Sequence, residues 1–229
     1  MELKVIAYAR NGHTDKFGIP RQSREESPIL TRIVFEPEYR VAEALRGIEG
    51  YSHLWLIWGA NLTPTLSTRE GDKLDWSPTV RPPRLGGNKR MGVFATRSPF
   101  RPNPIGLSSV RLVGIEDGDL IVSGADVLDG TPIYDIKPYL SFSDSHDDAK
   151  NGFAEEHKDR RLEVDWYDNG LGLPRDTKDA LTYLLAQDPR PGYQEDPERE
   201  YKMDYAGWNV TFTVHAQEVH VKKIQKIQK

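Results

Sequence analysis

Three prolines within six residues set the character of the segment Arg90 to Leu107, RMGVFATRSPFRPNPIGL. Pro99, Pro102 and Pro104 each fix φ and bias the preceding residue towards extended backbone, so neither a helix nor a hydrogen-bonded ladder can run through them. The apolar run before them, Met91 to Ala95, reads as a strand. Arg97 and Arg101 then stand on a backbone with few alternatives. A rigid loop that aims guanidinium donors in advance suits planar, anionic or nucleobase-like partners. The same composition also describes a solvated surface loop, and the surrounding charge bears on the choice. No acidic residue falls between Asp75 and Glu116, whereas Arg81, Arg84, Lys89, Arg90, Arg97, Arg101 and Arg111 all do. The chain has a formal charge of −4 from 31 basic and 35 acidic residues, so this stretch carries +7 and the remainder 24 − 35 = −11. Such segregation favours a polyanionic partner, with nucleic acid or a nucleotide leading.

A length of 229 residues suits one large domain, or one medium and one small. Cysteine is absent, which removes disulfides, thiolate metal sites and cysteine nucleophiles. MELKVIAYAR has charges at Glu2, Lys4 and Arg10 and no signal-peptide core, and the longest apolar run, about Leu54 to Ala60, is far short of a membrane span. A soluble cytoplasmic protein without membrane partners is expected.

Along the chain, Leu3 to Ala9, Ile29 to Phe35 and Tyr51 to Trp58 read as strands, the last buried on both faces with His53 as a core histidine. Glu38 to Leu45 reads as a short helix stopped by Gly47. Ile105 to Ile115 and Leu120 to Ser123 form a hairpin about Asp117-Gly118. Between Asp126 and Leu140, three carboxylates (Asp126, Asp129, Asp135) gather near Tyr134, Lys137 and a turn at Gly130. They are either an acid/base and ligand-clamping cluster or turn-capping aspartates beside a surface ion pair. Ser143 to Lys158 lacks periodicity and reads as a linker or mobile loop. Beyond it come a strand at Leu162 to Trp166, a helix capped by Asp176 that buries Ala180, Leu181, Leu184 and Leu185, and strands at Tyr205 to His215 and Val219 to Ile224. The expected domains are 1–145, a linker at 146–160, and a small α+β domain at 161–229.

No dinucleotide-binding glycine pattern, P-loop or nucleophile elbow is present, and the six histidines show no metal-ligand spacing. An enzyme built on this chain holds its reagent with strand and loop elements.

RPPRLGG (Arg81 to Gly87), RMGVFATRSPFRPNPIGLS (Arg90 to Ser108) and DGTPIYDIKPYL (Asp129 to Leu140) resemble the signature blocks of the TsaA-like family, the tRNA methyltransferase O group. KFGIPRQ (Lys16 to Gln22) and GYSHLWLI (Gly50 to Ile57) agree in order, and LLAQDPRPGY and YAGWNVTF resemble the C-terminal extension of bacterial members. The resemblance implies a mainly β fold with an antiparallel barrel, a homodimer, and S-adenosylmethionine as cofactor. It further implies methylation at N6 of N6-threonylcarbamoyladenosine, beside the anticodon of threonine tRNA. It places the cofactor on Pro20, Arg21, Gln22, Asn61, Leu62, Arg97 and the turn Leu128, Asp129, Gly130, Thr131. Many relatives have histidine where Asn61 stands. Arg81, Arg84, Lys89, Arg90 and Arg101 then face the anticodon arm, and Asp126, Asp129, Tyr134, Asp135 and Lys137 are the catalytic candidates. Two readings compete with the enzyme: a non-catalytic RNA- or nucleotide-binding module, and an adapter whose C-terminal module recruits a protein.

Overall fold

The computed structural model describes residues 2–20, 22–23, 26–60, 76–82, 89–157, 161–166, 172–190 and 196–227. Its first half is built of β1 (Ala7–Arg10), β2 (Leu30–Phe35), β3 (His53–Gly59), β4 (Thr79–Val80), β5 (Met91–Gly92), β6 (Ile105–Glu116), β7 (Asp119–Ser123) and β8 (Pro132–Pro138). All but β4 and β5 close into an antiparallel barrel of order β1-β2-β7-β6-β3-β8, with β8 returning to β1, while β4 and β5 pair separately. Alternate residues point inward, as the two-residue period of a strand requires. Ala7, Ala9, Ile33, Leu54, Leu56, Val110, Leu120, Val122 and Ile133 fill the interior. A barrel this small has room for side chains and nothing else.

The closed shape explains where sequence periodicity misleads. β3 is central, flanked by β6 and β8, yet only Leu54 and Leu56 of its first five residues are buried. A barrel has a single interior, so Trp55 and Ile57 are left half-buried on its outside. His53 is there too, with its Nδ1 2.9 Å from the Ser52 hydroxyl and its ring edge-on to Tyr139, so it is not a core histidine. The first strand starts at Ala7 and not Leu3, because β2 ends at Phe35 opposite Ala7. Of Met91 to Ala95 only the first two residues are strand, since Thr96 Oγ1 donates to the Val93 carbonyl (2.8 Å) and closes a 3₁₀ turn over Val93–Ala95. A 3₁₀ turn at Ala42–Leu45 likewise replaces the expected helix.

Two aspartates lock the barrel's edges. Buried Asp119 accepts Arg32 Nε (2.9 Å), Arg40 Nη2 (2.8 Å) and the Phe35 amide (3.1 Å), which ties the β6–β7 hairpin to β2. That hairpin turns through Asp117 (φ 51) and Gly118 (φ 79), the paired left-handed conformations of a type I′ turn. Asp144 accepts the Leu140 amide (3.0 Å) and Trp55 Nε1 (2.8 Å), so helix α1 (Ser141–Asp144) is pinned to the barrel. Those hydrogen bonds hold its carboxyl below the usual carboxylate range.

The second half comprises β9 (Glu163–Trp166), α2 (Arg175–Ala186), β10 (Tyr201–Tyr205), β11 (Trp208–His215) and β12 (Glu218–Lys226). Its sheet runs β10-β11-β12-β9, with β9 parallel to β12. α2 buries Ala180, Leu181, Leu184 and Leu185 as its periodicity predicts. Its N-cap is Pro174, and Asp176 lies in the first turn without making a capping hydrogen bond, so its favourable interaction is with the helix dipole. Tyr205 ends β10 and does not begin β11, because Ala206 (φ 48) and Gly207 (φ 79) turn the chain. Among the described residues no helix is long and apolar enough to cross a membrane.

The two halves meet along the segment between β1 and β2. Ile29 is buried in the C-terminal core, and the Ala206 amide donates to the Gly12 carbonyl (2.9 Å). His13 is 2% exposed and edge-on to Tyr205 at 5.1 Å, and its Nε2 has no hydrogen-bond partner. Burial lowers its pKa from 6.5 to about 4, so the folded chain holds it neutral. Below pH 6.5 the unfolded chain takes up a proton that the folded chain refuses. Stability is therefore fully present above that pH and falls as pH drops towards 4, by about 3 kcal/mol at about 1.4 kcal/mol per unit. His13→Phe, which keeps a ring on Tyr205, is expected to flatten this decline in melting temperature. An unchanged acid slope would assign the decline to other groups.

Candidate active site

A cavity of about 600 Å³ opens at the end of the barrel where β1, β3 and β7 finish and β2, β6 and β8 begin. Each wall comes from a different crossing of that end. Lys16, Ile19 and Pro20 come from the loop after β1, and Trp58 and Ala60 from the end of β3. The proline-rich loop supplies Thr96 to Arg101, and the start of β6 supplies Ile105 to Leu107. The stretch before β8 gives Asp126, Val127, Leu128 and Thr131. The volume and the mainly apolar walls with a few convergent polar groups suit a small organic ligand.

The polar centre is a chain of three side chains. Trp58 Nε1 donates to Ser108 Oγ (2.8 Å), and the Ser108 hydroxyl donates to Asp126 Oδ1. Trp58 reaches this position because its cross-strand partner is Gly106, where a Cβ would overlap the indole ring. Burial raises the Asp126 carboxyl above the usual carboxylate range; the Ser108 hydrogen bond, backbone amides including that of Ser23, and the nearby Arg97 charge oppose the rise without cancelling it. A desolvated carboxylate beside a cation, facing a cavity, is poised for proton transfer or for binding a cationic ligand group.

The turn Leu128 to Thr131 is held by the backbone of β1 and of the loop after it. The Asp129 amide donates to the His13 carbonyl (2.9 Å), the Gly130 amide to Ala9 (2.8 Å), and the Ala9 amide to Thr131 (2.9 Å). Gly130 has φ 77, which glycine adopts without strain. Leu128 and buried Thr131 face the cavity, whereas the Asp129 carboxylate turns away to Arg10 (3.6 Å) and the Asn11 amide (3.1 Å).

The structure thus brings together some of the sequence candidates and separates others. Asp126, Arg97, Pro20, Leu128 and Thr131 converge on the cavity. Asp135 and Lys137 pair with each other at 2.8 Å on the partly exposed outside of the barrel. Tyr134 lies over Gly59, where a Cβ would come within 2.9 Å of its Cζ. Gln22 is exposed and does not line the cavity. Arg21, Asn61, Leu62 and Arg84 lie outside the described residues. Arg81, Lys89 and Arg90 are exposed around the β4–β5 ribbon, with Arg90 Nη1 donating to Thr79 Oγ1 (2.8 Å). Arg101 spends its donors within its own loop, on the Thr96 (2.7 Å) and Val93 (3.2 Å) carbonyls, and its guanidinium lies 5.6 Å from the Phe94 ring centre. Sequence reasoning missed Trp58 and Ser108 as site residues, and also the exposed Trp76–Phe94 stack beside the proline-rich loop (6.4 Å, 22°). The glycine opposite Trp58 was the available signal, but it needs the β3–β6 register to be read. Among the described residues, no group of three or more histidine, aspartate or glutamate side chains is arranged to hold a metal ion.

Comparison with known proteins agrees with this architecture. Residues 8–145 match the family model of the tRNA-methyltransferase O N-terminal domain, and residues 171–227 match that of the TrmO C-terminal domain. A protein of Escherichia coli K12 described as tRNA (adenine(37)-N6)-methyltransferase is 39% identical over 224 residues, covering 93% of this chain and 91% of that one. A Pseudomonas aeruginosa protein described as a putative S-adenosylmethionine-dependent methyltransferase is 41% identical over 210 residues, covering 87% and 86%. The crystal structure of TrmO from Pseudomonas aeruginosa superposes with a TM-score of 0.76 at 31% identity, over 98% of each chain.

Proposed function

Because the chain belongs to the tRNA-methyltransferase O family, we propose that it methylates N6 of N6-threonylcarbamoyladenosine in threonine tRNA, using S-adenosylmethionine bound in the barrel-end cavity. The observation that carries this reading is the Asp126 carboxyl, desolvated and oriented by Ser108 at the edge of a cavity that also holds Arg97. The residues present fit the cofactor. Ile19, Pro20 and Leu128 offer apolar walls to a nucleoside, Thr131 a polar edge, and Arg97 a partner for a carboxylate. When bound, the cofactor supplies an electrophilic methyl group and leaves as a neutral thioether.

The chain's own task is the proton. The N6 of the modified base lies between a carbonyl and a purine and still bears hydrogen, so it is a poor nucleophile until that proton leaves. Asp126 takes it, and its raised pKa makes the carboxylate a stronger base than an ordinary one. Ser108 and Trp58 fix the acceptor's direction. A module that merely bound phosphate would gain nothing from a desolvated carboxylate at the site, which favours the enzyme over a passive RNA binder.

The RNA face is supported by the exposed Arg81, Lys89 and Arg90 around the β4–β5 ribbon and by the Trp76–Phe94 stack, a surface suited to unpaired bases of an anticodon arm. A homodimer is supported by the outward row of β6, where Leu107, at the cavity, and Val113, further along the strand, are each 54% exposed; sedimentation analysis reads it directly. Such a substrate supports a cytoplasmic location. The test is transfer of labelled methyl from S-adenosylmethionine to total tRNA from cells lacking the protein. Transfer is expected with the wild type, and Arg97→Ala is expected to raise the KM for S-adenosylmethionine about 10- to 100-fold, the scale of one charge-assisted hydrogen-bonded pair. Cofactor binding without any transfer would support the RNA-binding reading in its place.

A further inference from the structure

We infer that the C-terminal module is a positioning device for the cofactor loop, acting through Phe17 and Met203; this rests on the functional reading above. Within Lys16 to Pro20 the side chains divide between two surroundings. Lys16, Ile19 and Pro20 line the cavity. Phe17 points the other way, into the C-terminal core, where its ring stacks on Tyr201 (6.4 Å, 5°) and Phe212 (6.4 Å, 27°). Gly18 has φ 93 and lies so close to buried Met203 that a Cβ would overlap the sulfur. A second cavity of about 170 Å³ separates the back of the same residues from Gln187 and Asp188 at the end of α2. The loop is therefore a partition with the cofactor site on one side and the C-terminal module on the other.

Physical chemistry gives that arrangement a consequence. The chain from Asn11 to Ile29 joins β1 to β2 with no strand or helix of its own among the described residues. Such a segment left free loses conformational entropy when a ligand orders it, and that loss weakens binding. Anchoring Phe17 and Gly18 against the module pays the ordering cost at folding, before the ligand arrives. The barrel supplies Asp126 and Arg97, and the module holds the opposite wall in place. Positioning of this kind acts on cofactor affinity and leaves the chemical step alone.

The test is calorimetric binding of S-adenosylmethionine to the full chain, with steady-state methyl transfer alongside. Phe17→Ala is expected to raise both Kd and KM for the cofactor by about tenfold, the scale of one or two side chains ordered at binding. kcat at saturating cofactor and the KM for tRNA should stay within about twofold, the split expected when binding alone is weakened. Phe17→Leu, which refills the core, is expected to recover most of the loss. Gly18→Ala is the second variant and should weaken the cofactor likewise. Val219→Ala removes bulk from the same core on β12 and should lower the melting temperature without moving the cofactor Kd. Folded Phe17→Ala and Gly18→Ala chains with wild-type Kd would overturn the inference. So would a Val219→Ala chain that bound the cofactor as weakly as they did, since the effect would then be general stability. A wild type that bound no S-adenosylmethionine would overturn the functional reading itself.

Discussion

Asp126→Asn is expected to slow single-turnover methyl transfer by about 10³-fold at neutral pH with cofactor saturating, the middle of the range for a lost general base. Asparagine keeps the shape and still accepts from Ser108, so the loss isolates the proton acceptor. The pH dependence has a definite sign. Burial lifts the Asp126 carboxyl above the usual range, and the ionised form that accepts the proton disappears as pH falls through that raised value. The wild-type rate should therefore show an acid limb above the ordinary carboxylate range, and the variant should lack it. Stability moves the opposite way. A carboxyl whose pKa is higher in the folded chain than in the unfolded one costs stability above its unfolded pKa. Asp126→Asn should melt higher than wild type at neutral pH, and the advantage should vanish in acid. A variant that is both slower and less stable would point to a structural carboxylate.

Gly106→Ala has the second large expected effect. Gly106 sits opposite Trp58 in the β3–β6 register, and a Cβ there would overlap the indole ring. The ring must swing away, which breaks its hydrogen bond to Ser108 and removes one wall of the cavity. Overpacking of this kind costs about 1–3 kcal/mol. Cofactor affinity should fall by more than about tenfold, since the wall and the Asp126 orienting chain are lost together. Gly114→Ala on the same strand meets open space and is the matched control, expected to leave both properties close to wild type. Thermal melting and calorimetry read the pair. A Gly106→Ala chain that bound S-adenosylmethionine like wild type would remove Trp58 from the site.

Much of the barrel is legible from period and turn chemistry. The β6–β7 hairpin follows from Asp117-Gly118, and the buried face of α2 from the spacing of Ala180, Leu181, Leu184 and Leu185. Strand β8 is hidden because prolines at 132 and 138 bracket it and the charged Asp135 and Lys137 interrupt its apolar pattern. The two-faced burial expected of β3 fails because closure of the sheet is a global property that no local pattern encodes. The site divides in the same way. Sequence places Asp126, Asp129 and Asp135 in one short cluster, but strand alternation and the turn at Gly130 send only the first into the cavity. Arg97 and Arg101 look equivalent beside their prolines and both line the cavity, yet the charge of one acts on Asp126 while the other hydrogen-bonds to its own loop. The role of Phe17 is invisible in sequence, because its partners lie more than 180 residues further along the chain.

The most direct measurement compares threonine tRNA with and without its threonylcarbamoyl group as acceptor for labelled methyl, followed by nucleoside mass spectrometry. One added methyl on threonylcarbamoyladenosine is expected from the modified tRNA, none from the unmodified, and loss of the product with Asp126→Asn. Equal transfer to both tRNAs, or transfer to a different nucleoside, would contradict this expectation.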